Sequence, residues 1–406
     1  MASAAADQLS DRWREVLGYR PLALTRVAGG GAAYVGDHDG EVATDQALNF
    51  PVDAALDAAG GMYVTSAGQN DQIFYVPAAD RGPLLGHAGP MAAGHLYAVA
   101  GIVQSEFGPG PYNAAYAPYE RYSALDPTRA PGATFRQFRP GRLALEPAGS
   151  ENHLLYCSAE GHRVLLLAGA DLDRYGRHFL GGHLYTLAGT GEAGHGQGAG
   201  WQTPLAYPVS LAVSPEHDVY LLDGSLHVLR ALDGQLVDLP ATLNGQPLAL
   251  DGATDVRLDH GSLYVADAAH HTVLRATVGG PTLTFTVALG QRDRAGFVDG
   301  CGFSDIFGVA AGVPQDRVLL DHPMSLAFDA DGRMLVADAH GLRLVTNKAV
   351  YNLAGAEDAA SDDGDVRQQP FPETTFLSYD PTSRTALVVD RRLATVRRLW
   401  SARGLL

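Results

Sequence analysis

Pro323-Met-Ser-Leu-Ala-Phe-Asp329, a short turn, then Met334-Leu-Val-Ala-Asp338 is the stretch that decides how this chain is read. Two apolar runs, each closed by an aspartate and separated by a glycine-containing turn, predict a pair of short strands joined tightly. The pattern returns as Pro51-Val-Asp-Ala-Ala-Leu-Asp57 with Met62-Tyr-Val-Thr-Ser66, and as Pro140-Gly-Arg-Leu-Ala-Leu-Glu146 with Leu154-Leu-Tyr-Cys-Ser158. It returns again as Pro208-Val-Ser-Leu-Ala-Val-Ser214 with Val219-Tyr-Leu-Leu-Asp223, and as Ala253-Thr-Asp-Val-Arg-Leu-Asp259 with Leu263-Tyr-Val-Ala-Asp267. A degenerate copy runs from Thr374-Thr-Phe-Leu-Ser-Tyr-Asp380 to Leu387-Val-Val-Asp390, making six in all. Recurrence at this length makes the repeat, not the single strand, the unit of structure.

Each copy continues into a third apolar run, such as Gln72-Ile-Phe-Tyr-Val76, and a fourth that often ends in Ala-Gly, as in His183-Leu-Tyr-Thr-Leu-Ala-Gly189. Four short strands per repeat predict an all-β fold, a six-bladed β-propeller. The sixth copy stops after its third strand, Ala394-Thr-Val-Arg-Arg-Leu-Trp400, while Leu22-Ala-Leu-Thr-Arg-Val-Ala-Gly29 carries the fourth-strand signature with no strands before it. The N-terminal strand is therefore expected to complete the last blade and close the ring, leaving no open sheet edge. Residues 1–21 read as an N-terminal extension with a short amphipathic helix over Ala6 to Leu17, and 22–406 as one propeller domain.

Composition narrows the function. In 406 residues, 29 basic side chains face 45 acidic ones, a formal charge of −16 that repels phosphate and argues against nucleic-acid or anionic-membrane partners. No apolar run is long enough to span a bilayer. The first residues lack the basic patch and apolar stretch of a secretory signal, and only Cys157 and Cys301 are present, so the expected setting is cytoplasmic. Cys157, inside an apolar strand, is expected to be a small core residue. The basic cluster Arg391, Arg392, Arg397, Arg398 and Arg403 is expected on a solvated face or a partner contact.

The repeats resemble the NHL-repeat family of six-bladed propellers, on the strength of Thr190-Gly-Glu-Ala-Gly-His-Gly-Gln-Gly198, Gly296-Phe-Val-Asp-Gly-Cys-Gly302 and the closing Asp338. The resemblance implies the fold over nearly the full length. It implies little about activity, because the family spans lyases, hydrolases and protein-binding modules. Amidating lyases of this type carry metal-binding histidines just after the repeat proline, where this chain has Val52, Gly141, Val209, Thr254, Met324 and Thr375. Gluconolactonase-like propellers carry Glu-Gly-Pro where this chain has Asn49-Phe50-Pro51. No metal site and no cofactor are expected on that comparison. Strictosidine-synthase-like propellers use a glutamate of the last blade without metal, and Glu373 stands in a comparable place.

Function is expected where the copies differ. The turn acids Asp223, Asp267, Asp338 and Asp390 repeat and are expected to accept backbone N–H bonds; His162 and His271 are expected at surfaces or between blades. The residue before the repeat proline, or its equivalent, instead varies: Phe50, Arg139, Tyr207, Gly252, His322 and Glu373. Three positions further along come Asp53, Arg142, Ser210, Asp255, Ser325 and Phe376, again unlike one another. His322 and Glu373 suit proton transfer near neutral pH, with Arg139 holding an anion and Tyr207 on the opposite wall. Phe50, Asp53, Arg142 and Asp255 are the expected binding residues on the ring itself. The bland alternative is that these charges pair with one another and plug the channel. Two long inserts, 102–138 with Tyr116 and Tyr119 and 291–320 with Phe297 and Phe303, are expected to add aromatic walls. The resulting expectation is a metal-independent enzyme of lyase, cyclase or condensing type acting on a small, largely apolar molecule by acid/base chemistry. The alternative is a non-catalytic propeller that binds a protein or peptide on the same face. Oligomeric state stays open.

Overall fold

The computed structural model describes residues 23–31, 40–48, 50–67, 72–84, 89–101, 141–146, 153–182, 184–296, 318–329, 332–345, 350–354, 364–365, 375–380 and 385–400. Six blade sheets follow one another in chain order, antiparallel except where Ala241–Leu243 runs parallel to Leu283–Gly290, and a separate two-stranded sheet pairs Leu172–Arg174 with Arg177–Phe179. Blade one comprises Pro51–Leu56, Met62–Ser66, Gln72–Val76 and His95–Gly101; blade two comprises Leu143–Leu145, Leu154–Ser158, Arg163–Leu167 and Leu184–Ala188. Blade three runs Ser210–Val213, Val219–Leu222, Leu226–Leu229, Gln235–Asp238, and blade four Ala253–Asp259, Ser262–Asp267, Thr272–Thr277, Leu283–Gly290. Blade five holds Ser325–Phe328, Met334–Asp338, Gly341–Val345 and Val350–Ala354. Blade six holds Thr375–Asp380, Thr385–Asp390 and Thr395–Trp400, and its outer strand is Ala23–Gly29 from the other end of the chain. The fold is a six-bladed β-propeller closed as the repeats required.

The innermost strands touch in cyclic order, each against the next and the sixth against the first. Six separate apolar cores alternate with the blades. Tyr63, Ile73, Leu154 and Tyr156 fill the space between blades one and two, for example, and Leu24, Leu335, Leu377 and Val388 that between five and six. A strand with a blade on each side is buried on both faces, so Met62–Ser66, Leu154–Ser158 and Thr385–Asp390 are buried throughout rather than alternating. Each fully buried Leu, Ile or Val contributes about 1.5–3 kcal/mol, so closure rests on these interfaces. Cys157 belongs to one of them, as expected, and burial pushes its thiol well up.

The Ala-Gly signature has a structural cause. In blades two, four and six the outer strand skips one residue in its pairing just before Ala188, Leu289 and Ala28. The glycine that follows, Gly189 or Gly290, has φ of +92° or +85°, and a β-carbon there would overlap the carbonyl oxygen of His162 or His271. Those histidines are themselves left-handed, at φ 51° and 57°, so two unusual backbone conformations interlock where strand three opens.

Four departures from the simple count appear. Short edge strands widen blades one, three, four and six: Glu41–Val42, Gly198–Ala199, Ala241–Leu243 with Gln246–Pro247, and Gly364–Asp365. The arginine cluster is not one solvated face. Arg397 is fully buried and donates to Asp390 at 2.9 Å, an arrangement matched in blade five by Arg343 and Asp338 at 2.9 Å. A buried turn acid can hold a counter-charge on strand three, and that overrides the exposure expected of a basic run. The helix expected at Ala6 to Leu17 and most of both inserts lie outside the described residues. Among those described, no helix is long and apolar enough to cross a membrane.

Candidate functional site: two rings at the channel mouth

Strand register places the two variable sets. Asp53 pairs with Thr65, Ser210 with Leu222, Asp255 with Ala266, Ser325 with Ala337 and Phe376 with Val389. In these five the partner stands one residue before the closing Asp or Ser of the repeat, and in blade two the Cys157 N–H, one residue before Ser158, donates to the Arg142 carbonyl, so the register puts all six positions at one level. Counting back three residues from Phe376 reaches Glu373 just as counting back from Ser325 reaches His322.

The inner ring converges on the channel axis. Arg142 Nη2 donates to Asp255 Oδ2 at 2.5 Å and to Ser325 Oγ at 3.0 Å, and Arg142 Nε lies 3.5 Å from Asp53 Oδ2. Ser210 donates to Asp255 Oδ1 at 2.7 Å, Ser325 to Oδ2 at 3.0 Å, and the Leu326 N–H to Oδ2 at 2.9 Å. Arg257 Nε adds a bond to Asp255 at 3.2 Å, and the Arg142 guanidinium lies 4.8 Å from the centre of the Phe376 ring. One residue from each blade thus enters a single buried network. Its two carboxylates are not equivalent. Burial pushes Asp255 up, but Arg142, Arg257 and its hydrogen bonds outweigh that and hold it below the ordinary range. Burial wins at Asp53, which is raised despite both arginines. Asp53, Arg142 and Asp255 therefore form the floor of the mouth, engaged chiefly with one another.

The outer ring is exposed. Phe50, Tyr207 and His322 show 53%, 50% and 58% of their surface or side chain to solvent. Phe50 and His322 are left-handed at φ 52° and 46°, a conformation that costs a bulky residue about 1–3 kcal/mol and is kept where the surroundings enforce it. Phe50 is covered on one side by Arg391, 5.6 Å from the ring centre. The Ala206 and Tyr207 N–H groups both donate to Asp223, which burial pushes up. Asp338 likewise accepts from the His340 and Gly341 N–H groups, and Asp390 from Leu393, the structural duty expected of turn acids.

At His322 the rim becomes a cluster. Its Nδ1 is 2.6 Å from Asp321 Oδ1, its N–H donates to His271 Nδ1 at 3.2 Å, and the two imidazoles meet edge to face at 4.5 Å. His271 Nδ1 is also 3.4 Å from Asp321 Oδ1, and His340 Nε2 is 3.3 Å from Asp321 Oδ2. His271, Asp321 and His322 offer donor atoms within 4.8 Å of one another, a spread that a divalent ion can gather. The ligands of a tetrahedral zinc sit about 3.3 Å apart, however, and the Asp321–His322 contact is shorter. As arranged, the cluster is a set of hydrogen bonds centred on Asp321. It joins blade four to blade five, as the His162 contact to the Ala206 carbonyl at 2.5 Å joins two to three.

Of the residues expected to carry chemistry, the structure places His322 and Tyr207 on the rim beside Phe50, and Asp53, Arg142 and Asp255 below them. Arg139, Glu373, Tyr116, Tyr119, Phe297 and Phe303 lie outside the described residues. Asp321, His271 and His340 were not singled out for chemistry. The signal was available at Asp321, two residues before the proline where blade three has Ala206, but its histidine partners come from separate repeats.

No protein-family model matches the chain. No curated protein matches it. Among solved structures it is similar to a structural genomics protein of unknown function from Bacteroides thetaiotaomicron VPI-5482, with TM-score 0.58 and 13% identity over 93% of this chain and 75% of that one. It is similar to an auxiliary nutrient binding protein from Bacteroides ovatus ATCC 8483, with TM-score 0.57 and 12% identity over 93% and 76%. A streptogramin B lyase matches more loosely, with TM-score 0.44 and 10% identity over 93% and 97%. At these identities the likeness is one of fold.

Proposed function

We propose that the protein is a cytoplasmic, metal-independent enzyme that binds a small, largely apolar molecule over the channel mouth and acts on it by proton transfer, with His322 as the base. The observation that carries this reading is the 2.6 Å contact between Asp321 Oδ1 and His322 Nδ1. A carboxylate on Nδ1 fixes that nitrogen as the proton-bearing one and leaves Nε2 to take a proton from a ligand. Phe50 and Tyr207 supply an apolar wall and a phenol, above a floor made rigid by the Arg142 network. Glu373 is assigned as the second acid/base group, Arg139 as the holder of a developing anion, and Tyr116, Tyr119, Phe297 and Phe303 as the aromatic cover. A lyase, cyclase or condensing reaction uses such a set without a cofactor.

A second reading, binding without catalysis, is favoured by the exposure of Phe50 and Tyr207, which would serve a bound nutrient or peptide as well. Thermal-shift screening of small metabolites identifies a ligand, and turnover is then measured. His322→Gln is expected to lower turnover by about 10²–10⁴ while the ligand still raises the melting temperature. Equal turnover in His322→Gln and the parent would remove His322 from the reaction. Ligand stabilisation with no chemical change would support the binding reading. Activity lost to a chelator and restored by zinc would assign His271, Asp321 and His322 to a metal instead.

A further inference from the structure

A second constellation lies on blade three. Strands Val219–Leu222 and Leu226–Leu229 are joined by Asp223-Gly224-Ser225, and strand four pairs His227 directly with Asp238. Ser225 and His227 are two residues apart, so their side chains leave the same face of the hairpin. Ser225 Oγ is 3.1 Å from His227 Nε2, and His227 Nδ1 is 2.8 Å from Asp238 Oδ1. Gln197 donates to the other oxygen of Asp238 at 2.7 Å and fixes its plane. His227 is buried while Ser225 is exposed, so the base is shielded and the hydroxyl is reachable. The Gly224 and Ser225 N–H groups donate to no acceptor among the described residues. Gly224 is left-handed at φ 69°, and a β-carbon on it would meet nothing within 4 Å, so the turn is open to a ligand.

We infer that Ser225, His227 and Asp238 form a nucleophilic triad that hydrolyses small carboxylic esters, a site distinct from the His322 rim. Serine, histidine and carboxylate in hydrogen-bonded sequence are recognised by geometry and role, whatever their order in the chain. Here all three come from one hairpin and its neighbouring strand. His227 Nε2 takes the Ser225 proton as Oγ bonds to the ester carbonyl carbon, and Asp238 stabilises the imidazolium. The tetrahedral intermediate places its negative oxygen where the Gly224 and Ser225 N–H groups can donate. Its collapse breaks the bond to the alkoxy group, which leaves with the proton held by His227. Water, deprotonated by His227, then attacks the acyl-serine; the carboxylic acid is released and Ser225 recovers its proton.

The test treats the full chain with a fluorophosphonate probe and, separately, with p-nitrophenyl acetate. One equivalent of probe is expected on Ser225, located by peptide mass spectrometry, together with ester turnover that Ser225→Ala abolishes without lowering the melting temperature. Asp238→Asn, at a half-exposed position, is expected to fold normally and to lower turnover by about 10²–10⁴ through loss of the fixed tautomer. His227 is buried, so Asp238→Asn carries the argument if a His227 variant does not fold. Absence of probe from Ser225, or ester turnover unchanged in Ser225→Ala or Asp238→Asn, would overturn the assignment.

Discussion

Two sets of residues, one at the start of the innermost strands and one three positions earlier in the loops that enter them, have opposite characters. At the inner ring, Asp255 alone takes bonds from Arg142, Ser210, Ser325, Leu326 and Arg257, and the network holds six blades together. At the outer ring, Phe50, Tyr207 and His322 stand in solvent, two of them in a backbone conformation unfavourable to their type. Variation between repeats therefore has two meanings here. In the interior it is mutual complementarity, in which each blade's residue is chosen by its neighbours'. On the rim Phe50 meets Arg391 and His322 meets Asp321 and His271, while much of each side chain stays in solvent, and it is that free surface that the proposed function gives to a ligand.

The contrast can be broken most severely at Asp255. Asp255→Ala leaves the buried Arg142 and the partly buried Arg257 with Asp53 as their remaining carboxylate, at 3.5 and 4.0 Å, and is expected to cost about 3–5 kcal/mol, read by denaturant or thermal unfolding. A loss below 1 kcal/mol would mean that the network is not what joins the blades.

Next in size, Gly290→Ala is expected to cost about 1–3 kcal/mol, because a left-handed β-carbon would overlap the His271 carbonyl. The same change at Gly224, which has open space and the same backbone region, should cost less, and comparing their melting temperatures separates close approach from backbone strain.

The pH dependence sharpens the picture. The folded pKa of Asp255 lies below its ordinary value of 3.8, so its stabilisation is complete above that value and is lost as pH falls through the folded one. The stability gap between the parent and Asp255→Ala should accordingly be constant near neutrality and close in acid. A gap that widened in acid would contradict the sign. Asp53, raised by burial, contributes in the opposite direction and makes the parent's own acid profile shallower than Asp255 alone would give.

Smallest of all is the expected effect at the rim. His322→Gly relieves a left-handed imidazole at φ 46° and gives up its exposed contacts to Asp321 and the His271 ring, so its unfolding free energy should stay within about 1 kcal/mol of the parent's. If the proposed function holds, turnover is lost all the same. A large loss of stability would return His322 to the structural residues.

The propeller was legible in the sequence because its unit is written six times, and any one copy could be degenerate without hiding the count. The inner ring was legible as a set of unlike residues at one repeat position, yet whether they bind a ligand or each other depends on distances across the axis. Arg397 misled because a run of basic residues looks the same whether or not a buried Asp390 faces it. Asp321 was missed because its partners, His271 and His340, belong to other strands of two repeats. The Ser225, His227 and Asp238 set was close in sequence but unmarked: no Gly-x-Ser-x-Gly elbow surrounds Ser225, and only the hairpin register brings Asp238 opposite His227. Glu373 was reached by counting, and the pairing of Phe376 with Val389 supports the count.

The seam in blade six also sets a timetable. Ala23–Gly29 is synthesised long before the strand it pairs with, Thr395–Trp400. At about 5–20 residues per second, the ribosome takes some tens of seconds to supply that partner. Throughout that interval the early strand lacks this partner, and by its end five blades stand with two open ends, so Thr395–Trp400 acts as the clasp that commits the molecule to its native state. A nascent chain arrested before residue 395 should be the form that chaperones hold and proteases remove.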